Sequence, residues 1–183
     1  HLNAIAGIMI TASHNPKEYN GYKVYGEDGA QMSPEATKVV VDGINNIGDC
    51  LSDKILTDRN DDYITVIGEK VDEAYYAEIM KLGLSPLAIK TVGKDIKLVY
   101  TPVHGSGFVP VTTILSRLGI KATLVEEQLA KDPAFSTVKV PNPEYKETLS
   151  MGIELANKIG ADVVFGTDPD CDRLGVALRN DDG

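Results

Sequence analysis

Basic residues are scarce in this sequence. Eighteen lysines and arginines stand against 27 aspartates and glutamates, a formal net charge of −9. That balance argues against a nucleic-acid partner, whose recognition needs a basic stripe. Long apolar runs are missing too: none approaches the roughly 20 residues of a membrane-spanning helix, so no membrane partner is expected. The opening residues do not follow the basic, apolar, small-residue order of a signal peptide. Only two cysteines occur, Cys50 and Cys171, and their spacing suits neither a metal site nor a redox pair. The expectation is a reducing, cytoplasmic setting.

What remains is an ordinary globular composition, 43% hydrophobic and 25% charged over 183 residues, enough for one domain or a domain and a part. The sequence begins at His1, enters a strand within a few residues, and ends on a strand followed by a turn signal. Both ends read as cuts, and the expectation is a piece of a longer polypeptide.

The chain predicts an alternation of strands and helices. Ile8 to Ile10 read as a buried strand stopped by Asn15-Pro16, because proline has no N–H for the ladder. Tyr22 to Tyr25 is a second strand beyond the Asn20-Gly21 turn. Ser33 caps a helix with Pro34 at its first position, running to about Ile47 and ending at Gly48. Residues 49 to 68 are polar and irregular, with weak strand character at Tyr63 to Ile67. Val71 to Leu82 reads as a helix closed by Gly83 and Pro86. From Ile96 the pattern becomes strand (96–100), helix (109–118), strand (122–125), helix (144–159), strand (162–165) and strand (174–178). That rhythm marks an α/β fold with a doubly wound, mainly parallel sheet.

Three stretches could carry chemistry. The first is Thr11-Ala12-Ser13-His14-Asn15-Pro16, which places a hydroxyl at a strand end, where open α/β sheets bind ligands. Ser13 could be a nucleophile or phosphate carrier, or could merely turn the chain. The second is Thr167-Asp168-Pro169-Asp170-Cys171-Asp172-Arg173. Its three alternating carboxylates can converge on one cation, and oxygen ligands suit Mg²⁺; without a cation they repel. An EF-hand is excluded, since its glycine and glutamate positions hold Arg173 and Arg179. The other reading is a solvated acidic turn. The third is Thr101-Pro102-Val103-His104-Gly105-Ser106-Gly107, a strand-to-helix turn whose backbone N–H groups could meet an anion or whose glycines could serve only tightness. Lys23, on the second strand, could neutralise a phosphate or move a proton, or face solvent. Arg173 could clamp a phosphoryl oxygen or balance its acidic neighbours.

Thr-Ala-Ser-His-Asn-Pro, Asn-Gly-Tyr-Lys, Thr-Pro-Val-His-Gly-Ser-Gly, Pro-Asn-Pro-Glu and Asp-Pro-Asp-Cys-Asp-Arg occur in an order that resembles the α-D-phosphohexomutases, the phosphoglucomutase and phosphomannomutase superfamily. The resemblance runs over essentially the whole chain. It implies that Ser13 is the phosphoserine and that Asp168, Asp170 and Asp172 hold Mg²⁺, with the phosphoserine oxygen completing the metal site. It implies that Lys23 and Arg173 line the active site, with His14 and His104 near the phosphoserine. Proline after Asp168 resembles the phosphoglucomutase and phosphopentomutase branch more than the phosphoglucosamine branch.

The family has four domains. The resemblance implies the C-terminal part of domain I (1–68), a connecting helix (69–92) and domain II (93–183), as three-layer α/β/α units. The Gly-Glu loop of the third domain and the Arg-x-Ser-Gly-Thr clamp of the fourth are not in this sequence, so the sugar cannot be read. The implied reaction moves a phosphoryl group within a sugar phosphate through a bisphosphate, with a glucose 1,6-bisphosphate-type activator and the remaining domains as partners. Two rivals stand beside it. One is a non-catalytic divalent-ion or anion-binding module. The other, an aspartyl-phosphate phosphatase, fits poorly because Asp172 stands where that class has threonine or valine.

Overall fold

The structure, a computed structural model, describes residues 1–49 and 61–180. Cys50 and the closing Asp181-Asp182-Gly183 lie outside the described residues. The chain divides into two compact units: residues 1–10 with 22–71, and residues 11–21 with 72–183.

In the first unit, β1 (Gly7–Ile10) and β2 (Tyr22–Tyr25) pair antiparallel, with Met9 opposite Lys23 and Ile8 opposite Val24. The sequence predicts β1 as buried, yet Ile8, Met9 and Ile10 are exposed. Among the described residues β1 pairs only with β2, in a two-stranded ribbon. Helix α1 (Pro34–Ile47) starts and stops where the sequence signals it: Ser33 accepts from the Ala36 N–H at 3.3 Å, and Gly48 has φ 77°. The weak strand expected at Tyr63 to Ile67 is absent. A 3₁₀ turn covers Asp61–Tyr63, and the residues after it are irregular.

The second unit opens with α2 (Glu69–Lys81), of which the residues from Asp72 belong to it, and α3 (Pro86–Val92). The sequence predicts that Pro86 closes a single connecting helix. Instead, Pro86 sits in the first turn of a second helix, where its missing N–H costs nothing. A four-stranded sheet follows in the order β4-β3-β5-β6. Strands β3 (Leu98–Thr101), β4 (Ala122–Leu124) and β5 (Val163–Thr167) are parallel, and β6 (Leu174–Leu178) is antiparallel to β5. The fold is α/β with a mixed, mainly parallel sheet, as expected.

Alternate residues of the central strands serve two cores, as the period of two in a strand requires. Val99 and Val164 join Ala156 and Ala161 on the side of α5 (Ser150–Ile159). Leu98 and Val163 join Leu115 on the side of α4 (Phe108–Arg117). The helix predicted from Glu144 begins later, because a 3₁₀ turn over Lys146–Leu149 precedes α5. Three chain segments leave the C-terminal ends of the parallel strands: residues 102–107 after β3, 125–128 after β4 and 168–173 after β5. That is the edge at which open α/β sheets place ligands.

Candidate phosphoserine and metal site

The segment 11–21 belongs with the sheet that carries the aspartates. Its ends are tied by the Thr11 N–H, which donates to Gly21 O at 3.0 Å. Ser13 sits inside this loop at φ 51°, a left-handed conformation that only local bonding holds for a non-glycine residue. Its N–H donates to Thr11 Oγ1 at 2.9 Å. The residue is buried, and its hydroxyl donates to Asp168 Oδ2 at 3.2 Å. His14 Nδ1 lies 3.0 Å from the same hydroxyl oxygen. A hydroxyl carries one proton; with that proton directed at Asp168, His14 Nδ1 is the donor to Ser13 Oγ.

Asp168 is fully buried at the end of β5. Its Oδ1 accepts the Arg173 N–H at 2.9 Å, and its carbonyl accepts the Cys171 N–H at 3.0 Å. The loop therefore folds back on its own first carboxylate, through Cys171 at φ 64°. One carboxylate oxygen from each of Asp168, Asp170 and Asp172 lies within 4.8 Å of the others. Burial, with the negative charge of Asp170 and Asp172, pushes the Asp168 carboxyl from 3.8 up to about 6 against the pull of the Arg173 N–H. Three hard carboxylate oxygens this close could hold a divalent cation such as Mg²⁺, whose charge would offset their mutual repulsion.

The glycine-rich turn supports this loop from beneath. The Ser106 N–H and Oγ both donate to Pro169 O, at 2.8 and 3.0 Å. Gly105 lies so close to Pro169 that a Cβ would collide with its backbone. At Gly107 a Cβ would stand 2.6 Å from the Tyr100 hydroxyl and 2.8 Å from Cys171 Sγ and Thr167 Oγ1. Burial pushes the Tyr100 phenol and the Cys171 thiol up, so both stay neutral under the carboxylates.

Ser13, His14 and the carboxylate cluster lie together in the structure. Arg173 joins through its backbone, while its guanidinium donates to Glu144 Oε1 at 2.9 Å. His104 is buried, with Nδ1 2.7 Å from Ala130 O and Nε2 2.7 Å from Thr137 Oγ1, so both ring nitrogens are engaged within the fold. Lys23 lies on β2 in the first unit. Sequence reasoning missed Thr11, Tyr100, Thr167 and Gln128. A threonine two residues before Ser13 was a visible signal for a side-chain turn. For Gln128 the local sequence carried none.

Residues 73–183 match the α/β/α domain II of phosphoglucomutase/phosphomannomutase, and residues 1–49 match its α/β/α domain I. The chain belongs to the phosphoglucomutase/phosphomannomutase family. A phosphoglucomutase of Staphylococcus aureus (strain USA300) is 42% identical over 186 residues, covering 100% of this chain and 33% of that protein; that of strain N315 is 41% identical over the same span. The chain thus spans about a third of the length of the curated relatives it matches. A solved structure described as a putative phosphomannomutase from Thermus thermophilus superposes with a TM-score of 0.72 at 26% identity, over 97% of this chain and 37% of that one. A Burkholderia thailandensis family member at 23% identity shares the fold, with a TM-score of 0.66 over 94% of this chain and 33% of its own.

Proposed function

We propose that this chain carries the phosphoryl-donating serine and the metal loop of a phosphosugar mutase, an intramolecular phosphotransferase. The observation that carries the reading is the hydrogen bond from Ser13 Oγ to Asp168 Oδ2, within a cluster of three carboxylates. A hydroxyl beside such a cluster is the arrangement a phosphoserine–Mg²⁺ site needs, because the cation offsets the charge of both partners.

In the proposed cycle, the bond between Ser13 Oγ and phosphorus breaks as a sugar hydroxyl oxygen bonds to that phosphorus and loses its proton. The product is a bound sugar bisphosphate. After the sugar reorients, its other phosphoryl group returns to Ser13 Oγ. The phosphoryl positions are 1 and 6, or 1 and 5 for a pentose, and a glucose 1,6-bisphosphate-type compound is the activator. Asp168, Asp170 and Asp172 would hold Mg²⁺, which supplies charge compensation for the transferring group. Ser13 Oγ is fixed by Asp168 and His14. Lys23 is the candidate for moving the hydroxyl proton and Arg173 for the phosphate-facing side; the family resemblance implies His104 there too, but its ring nitrogens are both engaged within the fold, so its part is to support the turn. We assign residues 1–68 to domain I, 69–92 to the connection and 93–183 to domain II.

The remaining domains of the mutase would supply the sugar grip. This chain alone is therefore expected not to interconvert sugar phosphates, since exclusion of water and positioning of the substrate both need the far side of the cleft. The decisive experiment is the intact mass of the whole protein as purified, followed by mapping of the modified residue. Phosphate on Ser13 supports the mutase. An unmodified Ser13 that also stays unlabelled by a sugar bisphosphate overturns it in favour of a simple ion-binding module.

A further inference from the structure

Two residues after β3 hold conformations that their side chains disfavour. Val103 has φ 47° and His104 φ 63°. Together they form the centre of a turn closed by the Gly105 N–H to Pro102 O at 2.8 Å. Such a turn normally uses Asn-Gly, and a β-branched residue in it is an outlier that surrounding structure must enforce. What enforces it is one fully buried glutamine. Gln128 O accepts the His104 N–H at 2.9 Å. Gln128 Oε1 accepts the Thr101 hydroxyl at 2.6 Å, and Thr101 Oγ1 in turn accepts the Val103 N–H at 3.1 Å. Gln128 Nε2 donates to Thr137 Oγ1 at 3.0 Å, and Thr137 bonds to His104 Nε2. The carbonyl of Ala130 only accepts, so His104 Nδ1 carries the proton and Nε2 receives the Thr137 hydroxyl. Every polar atom of the Gln128 side chain is thereby used with a defined direction.

The forced turn delivers Ser106 to Pro169 O, the peptide between the first two aspartates. We infer that Gln128 is a positioning residue for the carboxylate cluster: through Thr101 and the Val103–His104 turn it fixes the Pro169 peptide, and so the relative placement of Asp168 and Asp170. This rests on the reading of the aspartates as a cation site, and not on the phosphoryl chemistry of Ser13. The glycine-rich turn then serves the metal loop by holding it from below.

The test uses the full chain and Mn²⁺, followed by electron paramagnetic resonance, together with amide hydrogen exchange. Gln128→Met keeps the length of the side chain and removes both amide contacts. Its Mn²⁺ affinity should fall roughly tenfold or more, the scale of losses behind metal ligands. Exchange should accelerate at the Ser106, Cys171 and Arg173 amides more than at Val99 in β3. A folded variant with unchanged affinity and unchanged exchange at those three amides overturns the proposal. Ser106→Ala guards against a variant that fails to fold. It removes only the exposed hydroxyl contact to Pro169, so it should weaken Mn²⁺ in the same direction by less, and no change there would also count against the inference. If the native chain takes up no Mn²⁺, the exchange pattern alone decides. An unmodified Ser13 that also stays unlabelled by a sugar bisphosphate would defeat the mutase reading while leaving both measurements valid.

Discussion

Ser13 Oγ donates to Asp168 Oδ2 at 3.2 Å across 155 residues of sequence. The bond joins the turn after β1 to the end of β5, and it makes one buried carboxylate answerable to both a hydroxyl and its two acidic neighbours.

If Ser13 is the covalent carrier as proposed, Ser13→Ala should abolish mutase turnover in the whole protein, by many powers of ten. Steady-state assay of glucose 1-phosphate conversion reads this directly. The melting temperature should move little by comparison, since one hydrogen bond is worth about 1 kcal/mol. Near-normal turnover in the alanine variant would remove Ser13 from the mechanism.

Asp170→Asn should weaken divalent-ion binding more than it weakens folding. It deletes one charge from a cluster whose oxygens lie within 4.8 Å of one another, and that deletion also relieves repulsion in the metal-free chain. Isothermal titration with Mg²⁺, beside urea unfolding, separates the two. Unchanged Mg²⁺ affinity with a large loss of stability would mark the cluster as structural.

Asp168 sets a pH dependence whose sign follows from its raised carboxyl, about 6 folded against an ordinary 3.8. Between those values the folded chain holds the extra proton. The contribution to stability is full below pH ~4 and is lost as pH rises through ~6. The metal-free chain should therefore show a falling urea midpoint from pH ~4.5 to ~7, and Asp168→Asn should flatten that slope. Mg²⁺ must displace the same proton, so its affinity should climb over this window. A wild-type slope identical to that of Asp168→Asn would refute the shift.

Gly107→Ala should destabilise the chain by about 1–3 kcal/mol, the usual cost of overpacking. The new methyl would press on Tyr100, Thr167 and Cys171 at once, at 2.6 to 2.8 Å. Denaturant unfolding measures the loss. A neutral result would mean that the backbone of this turn yields more easily than its buried neighbours suggest.

Much of the fold was legible because its signals are local. Ser33-Pro34 and Gly48 bound α1, and Gly160, at φ 66°, ends α5, since caps and left-handed glycines act over one turn. The boundaries that slipped are those where a local signal has two meanings. Pro86, a stop signal after a helical pattern, instead opens a second helix, and Pro143-Glu144 precedes a 3₁₀ turn rather than an α-helix. The exposure of β1 was not legible, because an apolar run tells how a strand could be buried and not whether a layer covers it. Of the site, Ser13 and the three aspartates were visible from residue type and spacing. The placement of His104 was not, since its partners Ala130 and Thr137 lie 26 and 33 residues away.

The sequence by itself determined the chemistry available: a hydroxyl on a strand-ending turn, three carboxylates at alternate positions, and the helix limits that short-range backbone preferences impose. Only the tertiary structure decided which of these groups meet. Parallel strands β3, β4 and β5 end at one edge of the sheet, so residues far apart in the chain converge there. Hydrogen-bond partners at that edge are chosen by where the strands stop and by what is buried between them. Ser13 therefore finds Asp168, Gln128 finds Thr101, and Ser106 reaches Pro169, pairings that no local pattern encodes because their geometry exists only once the sheet has formed.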